Sequence, residues 1–416
     1  MLRSLVDVRP LRETAAFRRL WLGSTASSLG SHFTSFAVVY YLWTQTHNPA
    51  IVGLVGLFAA VPLISIALLG SAVIDHIDRR RLALLVTSGQ AVTSALMVLV
   101  AATAGRDGVW VMLALTAVAS ACSGLGSPVL RSIVPGLLPP ERLAAGLALN
   151  QLSFQVTLLA GPVLAGAVTA VWGITWCFVI DVASFLVALL GIAGLPAAGK
   201  VATATSRPGI AAIGEGLRFV VGTPVVRGAL LADLAATVLA MPMALFPVIN
   251  DERFGGSPQV LGLLTAAVAV GGVAASAFSG VVTRFDRPGL ALLACGVTWA
   301  VALAIAGAAP QLLIVLVALG VAGGADTWAV VCRGTVVQSA TPESHRGRIS
   351  AVEHVVGVAG PQLGGARAGL LAAGTSGGAA LVIGGLTSLA AVALIATVTP
   401  QLWAAQATTD EPEHVD

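Results

Sequence analysis

Apolar residues run along this chain in long unbroken blocks, and the polar residues collect in the gaps between them. A hydrocarbon core about 30 Å thick takes roughly 20 helical residues to cross. Blocks that meet this requirement cover approximately 20–43, 51–74, 82–104, 109–134, 143–170 and 174–195. After a more polar stretch come 225–249, 259–282, 289–308, 311–332, 349–373 and 379–399. The pattern predicts an all-α membrane protein with about twelve transmembrane helices. A membrane β-barrel requires alternating strands of about ten residues, and these continuous runs do not alternate.

Composition agrees. Of 416 residues, 57% are hydrophobic and 10% charged, against about 25% charged in soluble domains, and the mean hydropathy is +0.93. So few charges cannot cover the surface of a soluble fold of this length. The 47 glycines suit close helix packing in lipid. Cys122, Cys177, Cys295 and Cys332 lie in or beside apolar runs with no ligand spacing, so they read as buried thiols, with no metal expected. The first apolar block is too long and too rich in Ser and Thr for a cleaved leader, and reads as the first span. No basic stripe with interleaved aromatics suggests a nucleic-acid partner.

Charge placement predicts orientation. With the N-terminus in the cytoplasm, 19 of the 22 basic residues fall inside, Arg106 and Arg253 fall outside, and Arg367 lies within a span. That asymmetry follows the positive-inside rule, and it places both termini of an inner-membrane protein in the cytoplasm. Trp21, Trp43, Trp110, Trp172, Trp176 and Trp403 fall near predicted span ends, as interfacial anchors do.

The expected organisation is a six-helix bundle over 1–195, a cytoplasmic linker over 196–224, a second six-helix bundle over 225–400 and a disordered tail over 401–416. Within the linker, Ile210, Ile213, Leu217 and Val220 recur at helical spacing, which predicts a short helix on the membrane surface.

The two bundles carry matching motifs. Ser71 through Leu82, containing Asp75, Asp78, Arg79, Arg80 and Arg81, returns 208 residues later as Ser279 through Leu290, with Asp286 and Arg287. Arg131, Pro140-Glu141 and Gly161-Pro162 with Gly166 return about 202 residues later as Arg333, Pro342-Glu343 and Gly360-Pro361 with Gly365. Both pairs keep the same membrane orientation. A duplicated six-helix unit related by an axis along the membrane normal is expected, an arrangement found in transporters that rock two halves about a central site.

On these residues the chain resembles the major facilitator superfamily, and within it the enterobactin-exporter type of siderophore and drug efflux carrier. Ser71 to Arg81 is similar to the signature G-x-L-x-D-R-x-G-R-R/K. It departs at Ser71, His76 and Asp78, where the signature has Gly, Arg and Gly. Thr341-Pro342 followed by Arg346-Gly347-Arg348 and Ala351 resembles the branch pattern T-P-x-x-x-R-G-R-x-x-A. Gly214 to Phe219 is similar to the link between its halves. The resemblance covers about residues 15–400.

The resemblance implies a conformational gate at Asp75, Asp78, Arg79, Arg80, Asp286, Arg287, Arg346 and Arg348, with Asp75 facing a helix N-terminus of the other half in one state. A carboxylate so placed gains about 0.3–1 kcal/mol, enough to bias a two-state equilibrium. The competing reading is that Arg79–Arg81 only set topology, and for Arg81 that reading is preferred. Gly161, Pro162 and Gly166, with their copy at Gly360 and Pro361, are similar to the antiporter motif G-P-x-x-G-G. They would bend the helix and favour export, or serve helix packing alone.

Ionisable residues within spans are costly and are functional candidates by default. Thr25, Ser28, His32 and Ser35 share one face of the first span, which lines the cavity in the resembling family. His32 is read either as a proton carrier or as a hydrogen-bonded packing residue. Asp233 and Asp326 are candidates for proton coupling or substrate contact. Asp326 and Arg333, seven apart, share a face that permits a charge network. Trp328, in mid-span, would stack on an aromatic substrate or simply pack. Asp181 is assigned to an interhelical hydrogen bond. Glu353 and Arg367 lie near the ends of their span, where both side chains would snorkel.

Gly194 to Val201 nearly spells a phosphate-binding loop, but Val201 has no hydroxyl for magnesium and a span precedes it instead of a strand. No nucleotide, cofactor or enzyme chemistry is expected, and energy would come from an ion gradient, of protons. The expectation is a monomeric secondary transporter in the bilayer that exports a small amphipathic molecule. An uptake permease of the same fold is the alternative, and a non-transporting receptor or assembly protein a more distant one.

Overall fold

The computed structural model describes residues 7–69, 78–195, 210–278, 280 and 285–404. Asp75, the first part of the linker (196–209) and most of the expected tail (405–416) lie outside them. Among the described residues there is no strand, and twelve long helices follow one another. Spans one to six are Ala15–Thr46, Pro49–Leu69, Arg79–Thr103, Val109–Leu137, Pro140–Trp172 and Thr175–Ala193. Span seven is Pro224–Ala240 continued by Phe246–Phe254. Spans eight to twelve are Pro258–Ala277, Pro288–Ala308, Leu312–Ser339, Glu343–Ala373 and Gly377–Val398.

Ten of these helices are long and apolar enough to cross a membrane by length and composition alone. Spans one and eleven are equally long but more polar, because they carry the Thr25–Ser28–His32 stripe and the Glu353 and Arg367 charges. Large apolar side chains point outward along the helices: Leu190, Val171, Leu313 and Leu85 are each at least 70% exposed. In water such a surface would aggregate; in lipid it is the expected exterior.

Short connections show local sequence control. Span one stops at His47, whose φ of +46° turns the chain, and the Asn48 carboxamide accepts from the Ala50 amide at 3.0 Å to start span two. At the corresponding turn after span seven, Gly255 and Gly256 take φ of +74° and +70°. Span seven departs from the single run expected over 225–249. It breaks over Met241–Pro242 and a 3₁₀ turn at Met243–Leu245, since prolines 242 and 247 each remove a backbone donor.

Contacts gather the chain into two compact units. One holds Met1–Arg207, Met243–Ala266 and Gly369–Ser376, and the other Pro208–Pro242, Ala267–Ala368 and Gly377–Asp416. In the first, Asp181 of span six is 1% exposed. Its carboxylate accepts from Thr34 of span one at 2.7 Å and from Ser94 of span three at 2.6 Å. Ser184 packs so closely on Gly30 that a Cβ there would overlap its hydroxyl.

In the second unit the linker helix Ile210–Gly222 lies against the start of span eleven. A Cβ at Gly216 would come 2.8 Å from the Arg348 carbonyl oxygen. Arg348 Nε reaches Glu215 at 3.1 Å, and the Phe219 ring stacks on His345 with centroids 5.0 Å apart. Two motifs separated by about 130 residues of sequence are thus one packed joint.

Candidate functional site

Span three begins at Asp78, whose carboxylate accepts from the Arg81 amide at 3.0 Å and so caps the helix. Arg79 Nη1 donates to the Ser132 carbonyl of span four at 2.9 Å, and Arg80 Nη2 to the Ala193 carbonyl closing span six at 2.5 Å. At Ala193, the last residue of span six, a cation is favoured by the macrodipole and by the unfilled carbonyl. Arg79 and Arg80 therefore staple spans three, four and six together. Arg81 is exposed. In the copy, Asp286 and Arg287 are exposed, and no side-chain bond caps span nine at Arg287. Arg346 pairs with Glu343 at 3.5 Å on an open surface.

The Gly-Pro motif of span five lies against span one. A Cβ at Gly161 would stand 2.5 Å from the His32 Cβ, so only glycine admits this approach. Four residues before the motif, Thr157 shares a hydrogen bond with Ser28 at 3.1 Å. On the other side, a Cβ at Gly166 would meet the Pro258 carbonyl oxygen at 2.5 Å, and one at Gly262 the Pro162 carbonyl oxygen at 2.5 Å. Span five thus meets the start of span eight backbone to backbone within the first unit. The second copy repeats the first contact: Gly360 and Gly364 press span eleven onto Thr237 of span seven.

The charged candidates of the second unit come together. Arg333 of span ten forms an ion pair with Asp233 of span seven, their side chains 13% and 10% exposed. Asp326, two turns before Arg333, and Glu353 of span eleven lie within electrostatic reach of both. One oxygen of Asp233 and Nε of Arg333 are buried without a partner. Asp233 contacts the guanidinium directly, and Asp326 and Glu353 stand farther off within electrostatic range of it. The spacing of Asp326 and Arg333 was visible in the sequence; the partner from span seven was not.

Trp328 is placed elsewhere. Its Nε1 donates to the Ala275 carbonyl of span eight at 2.9 Å. Its ring lines a largely apolar cavity of about 970 Å³ between spans eight, nine and ten, with Asp286 and Arg287 at one margin. Arg367 does not snorkel. Its Nη1 donates to the Leu239 carbonyl at 2.5 Å, and Nη2 reaches Thr387 at 3.4 Å. The break in span seven leaves that carbonyl without its helical donor, and Arg367 supplies one.

Among the described residues no group of three or more His, Cys, Asp or Glu side chains is placed to hold a metal ion. The arrangement offers buried charge shared between helices.

Comparison with known proteins agrees with this architecture. A family profile described as transmembrane secretion effector matches residues 6–414. The enterobactin exporter EntS of Shigella boydii serotype 4 (strain Sb227) is 24% identical over 398 residues, covering 94% of this chain and 95% of the relative. The enterobactin exporter EntS of Escherichia coli O157:H7 (strain EC4115 / EHEC) gives the same identity and coverage. Among solved structures, a mutant form of the nucleoside transporter NupG superposes with a TM-score of 0.75 at 12% identity, covering 92% of this chain and 99% of that one. A bacterial homologue of the iron transporter ferroportin in an inward-facing state gives 0.69 at 18% identity, covering 93% and 98%. These likenesses show the fold. With its motifs, its helical architecture and the full-length family match, this chain belongs to the transmembrane secretion effector family of major facilitator transporters.

Proposed function

We propose that this protein is a proton-coupled exporter of a small amphipathic molecule, of siderophore or drug-like kind, working by alternating access in the inner membrane. Residues 1–195 and 225–400 are the two halves that rock, with both termini in the cytoplasm.

The observation that carries the reading is the buried Asp233–Arg333 pair with Asp326 and Glu353 in reach. Charge buried inside a membrane protein is costly to maintain and is characteristic of ion pathways. Three carboxylates within electrostatic range of one guanidinium leave an imbalance that a proton relieves, and the need changes whenever spans seven, ten and eleven shift. Export as the direction is supported by relatives named enterobactin exporters. The uptake alternative draws on one geometric fact: close packing accounts for Gly161 and Gly166 without any role in direction.

Everted vesicles carrying the protein and acidified inside should accumulate enterobactin or a lipophilic dye, and an uncoupler should abolish accumulation. Accumulation indifferent to the uncoupler defeats the coupling. Gradient-driven uptake confined to right-side-out vesicles instead establishes the permease.

A further inference from the structure

Within the first unit, a cavity of about 600 Å³ opens between spans one, four and five. Its wall includes Trp21, Thr25, Arg131, Asn150, Gln151 and Phe154. Two of its polar atoms, Trp21 Nε1 and Thr25 Oγ1, are buried with no hydrogen-bond partner. An indole N–H only donates, so what satisfies it must present an acceptor. Buried donors are rarely left unpaired unless a ligand or water completes them.

The duplication sharpens the chemistry. Arg131 corresponds to Arg333 at the 202-residue step, and the 208-residue step carries Asp233 back to Thr25. In the second half the arginine is neutralised by Asp233, with Asp326 and Glu353 in electrostatic range. In the first half the equivalent of that aspartate is a neutral hydroxyl. Arg131 is exposed on the cavity wall, and no ion pair engages it among the described residues. The two halves therefore share a scaffold and differ in charge: one has surplus carboxylates, the other an uncompensated guanidinium.

We infer that this cavity is an anion-binding subsite for the transported molecule, taking a carboxylate or another paired-oxygen anion carried on an aromatic body. The Arg131 guanidinium matches two parallel oxygens. Trp21 and Thr25 supply donors already stripped of water, Asn150 and Gln151 add amide N–H groups, and Phe154 with the Trp21 ring offers flat apolar surface. The inference rests on the transporter reading and gives it a substrate class, but its test measures binding without a gradient.

The purified full chain in lipid nanodiscs is titrated by calorimetry with benzoate and with benzamide, its neutral analogue. The expected result is saturable benzoate binding, with benzamide weaker by about tenfold, the loss of one charge-assisted contact. Arg131→Gln should weaken benzoate by a similar factor and leave benzamide unchanged. Arg131→Lys should retain part of the affinity, and Trp21→Phe should cost several-fold through the lost donor. If Arg131→Gln does not fold, the benzoate–benzamide difference and Arg131→Lys still decide. Equal affinity for the two probes, benzoate binding indifferent to Arg131→Gln, or no saturable benzoate binding overturns the subsite. Such a failure leaves the efflux assay to stand or fall alone.

Discussion

Arg367 donates to the carbonyl oxygen of Leu239 at 2.5 Å, across from span eleven to the broken end of the first segment of span seven. The contact puts a positive charge where a helix terminates inside the protein, a place both the open carbonyl and the helix dipole favour. Arg367→Met should lower thermal stability by about 1–3 kcal/mol, the cost of a stranded buried acceptor. Arg367→Lys should recover part of the loss. Melting followed by tryptophan fluorescence in detergent checks this, and an unchanged melting temperature contradicts the capping role.

The Asp233–Arg333 pair should behave as a unit. Removing the guanidinium strands the buried carboxylates, so Arg333→Gln alone should destabilise by about 3–5 kcal/mol. Asp233→Asn combined with Arg333→Gln should be milder than Arg333→Gln alone while still lacking gradient-driven flux. A double-mutant cycle with no coupling between the two positions would show the pair to be energetically idle.

At the contact of spans one and five, Gly161→Ala places a methyl group 2.5 Å from the His32 Cβ. The helices must part, at a cost of about 1–3 kcal/mol. Because the clash is with Cβ itself, His32→Ala gives no relief, whereas His32→Gly should restore the fit, less the roughly 1 kcal/mol intrinsic to a helical glycine. Thermal stability of the three variants separates packing from a polar role of the imidazole.

The linker joint offers a contrast within a few residues. Glu215→Gln removes a half-exposed ion pair with Arg348 and should change stability by no more than about 1 kcal/mol. Gly216→Val drives side-chain atoms into the Arg348 backbone and should cost about 1–3 kcal/mol. The helix Ile210–Gly222 should then become sensitive to protease, read by the rate of cleavage between the halves.

Arginines 80 and 81 are adjacent but differ in what they touch. Arg80→Gln removes the donor to Ala193 and should loosen span three against span six by about 1 kcal/mol. Arg81→Gln, at an exposed residue, should leave the melting temperature unchanged. Equal effects would mean that the arginines act only through their summed charge.

The spans were legible because a lipid core imposes one length on every crossing, and the run of apolar residues reports that length directly. The repeats at Arg79 and Arg287, and at Gly161 and Gly360, pointed to a two-part construction. Hydropathy is silent on which helices touch. Asp326 and Arg333 could be put on one face from their spacing, but Asp233 arrives from about 100 residues upstream. Arg131 entered through the repeat and among the cytoplasmic basic residues, since one basic residue at a span end has no feature that separates anchoring from binding. Arg367 was expected to reach for the interface; the signal missed was Met241–Pro242, which predicts an open carbonyl nearby. The Gly216 joint needed two motifs to be read as partners, and no periodicity connects them.

Asp181 gives the first bundle a mechanical character. With hydroxyls from spans one and three held on a single carboxylate of span six, and with Arg80 tying the same spans three and six at one end, these helices cannot slide past one another independently. They act as a brace: sliding any of spans one, three and six past the others must break a hydrogen bond to Asp181 or to the Ala193 carbonyl. Bending must then be sought in helices outside this brace.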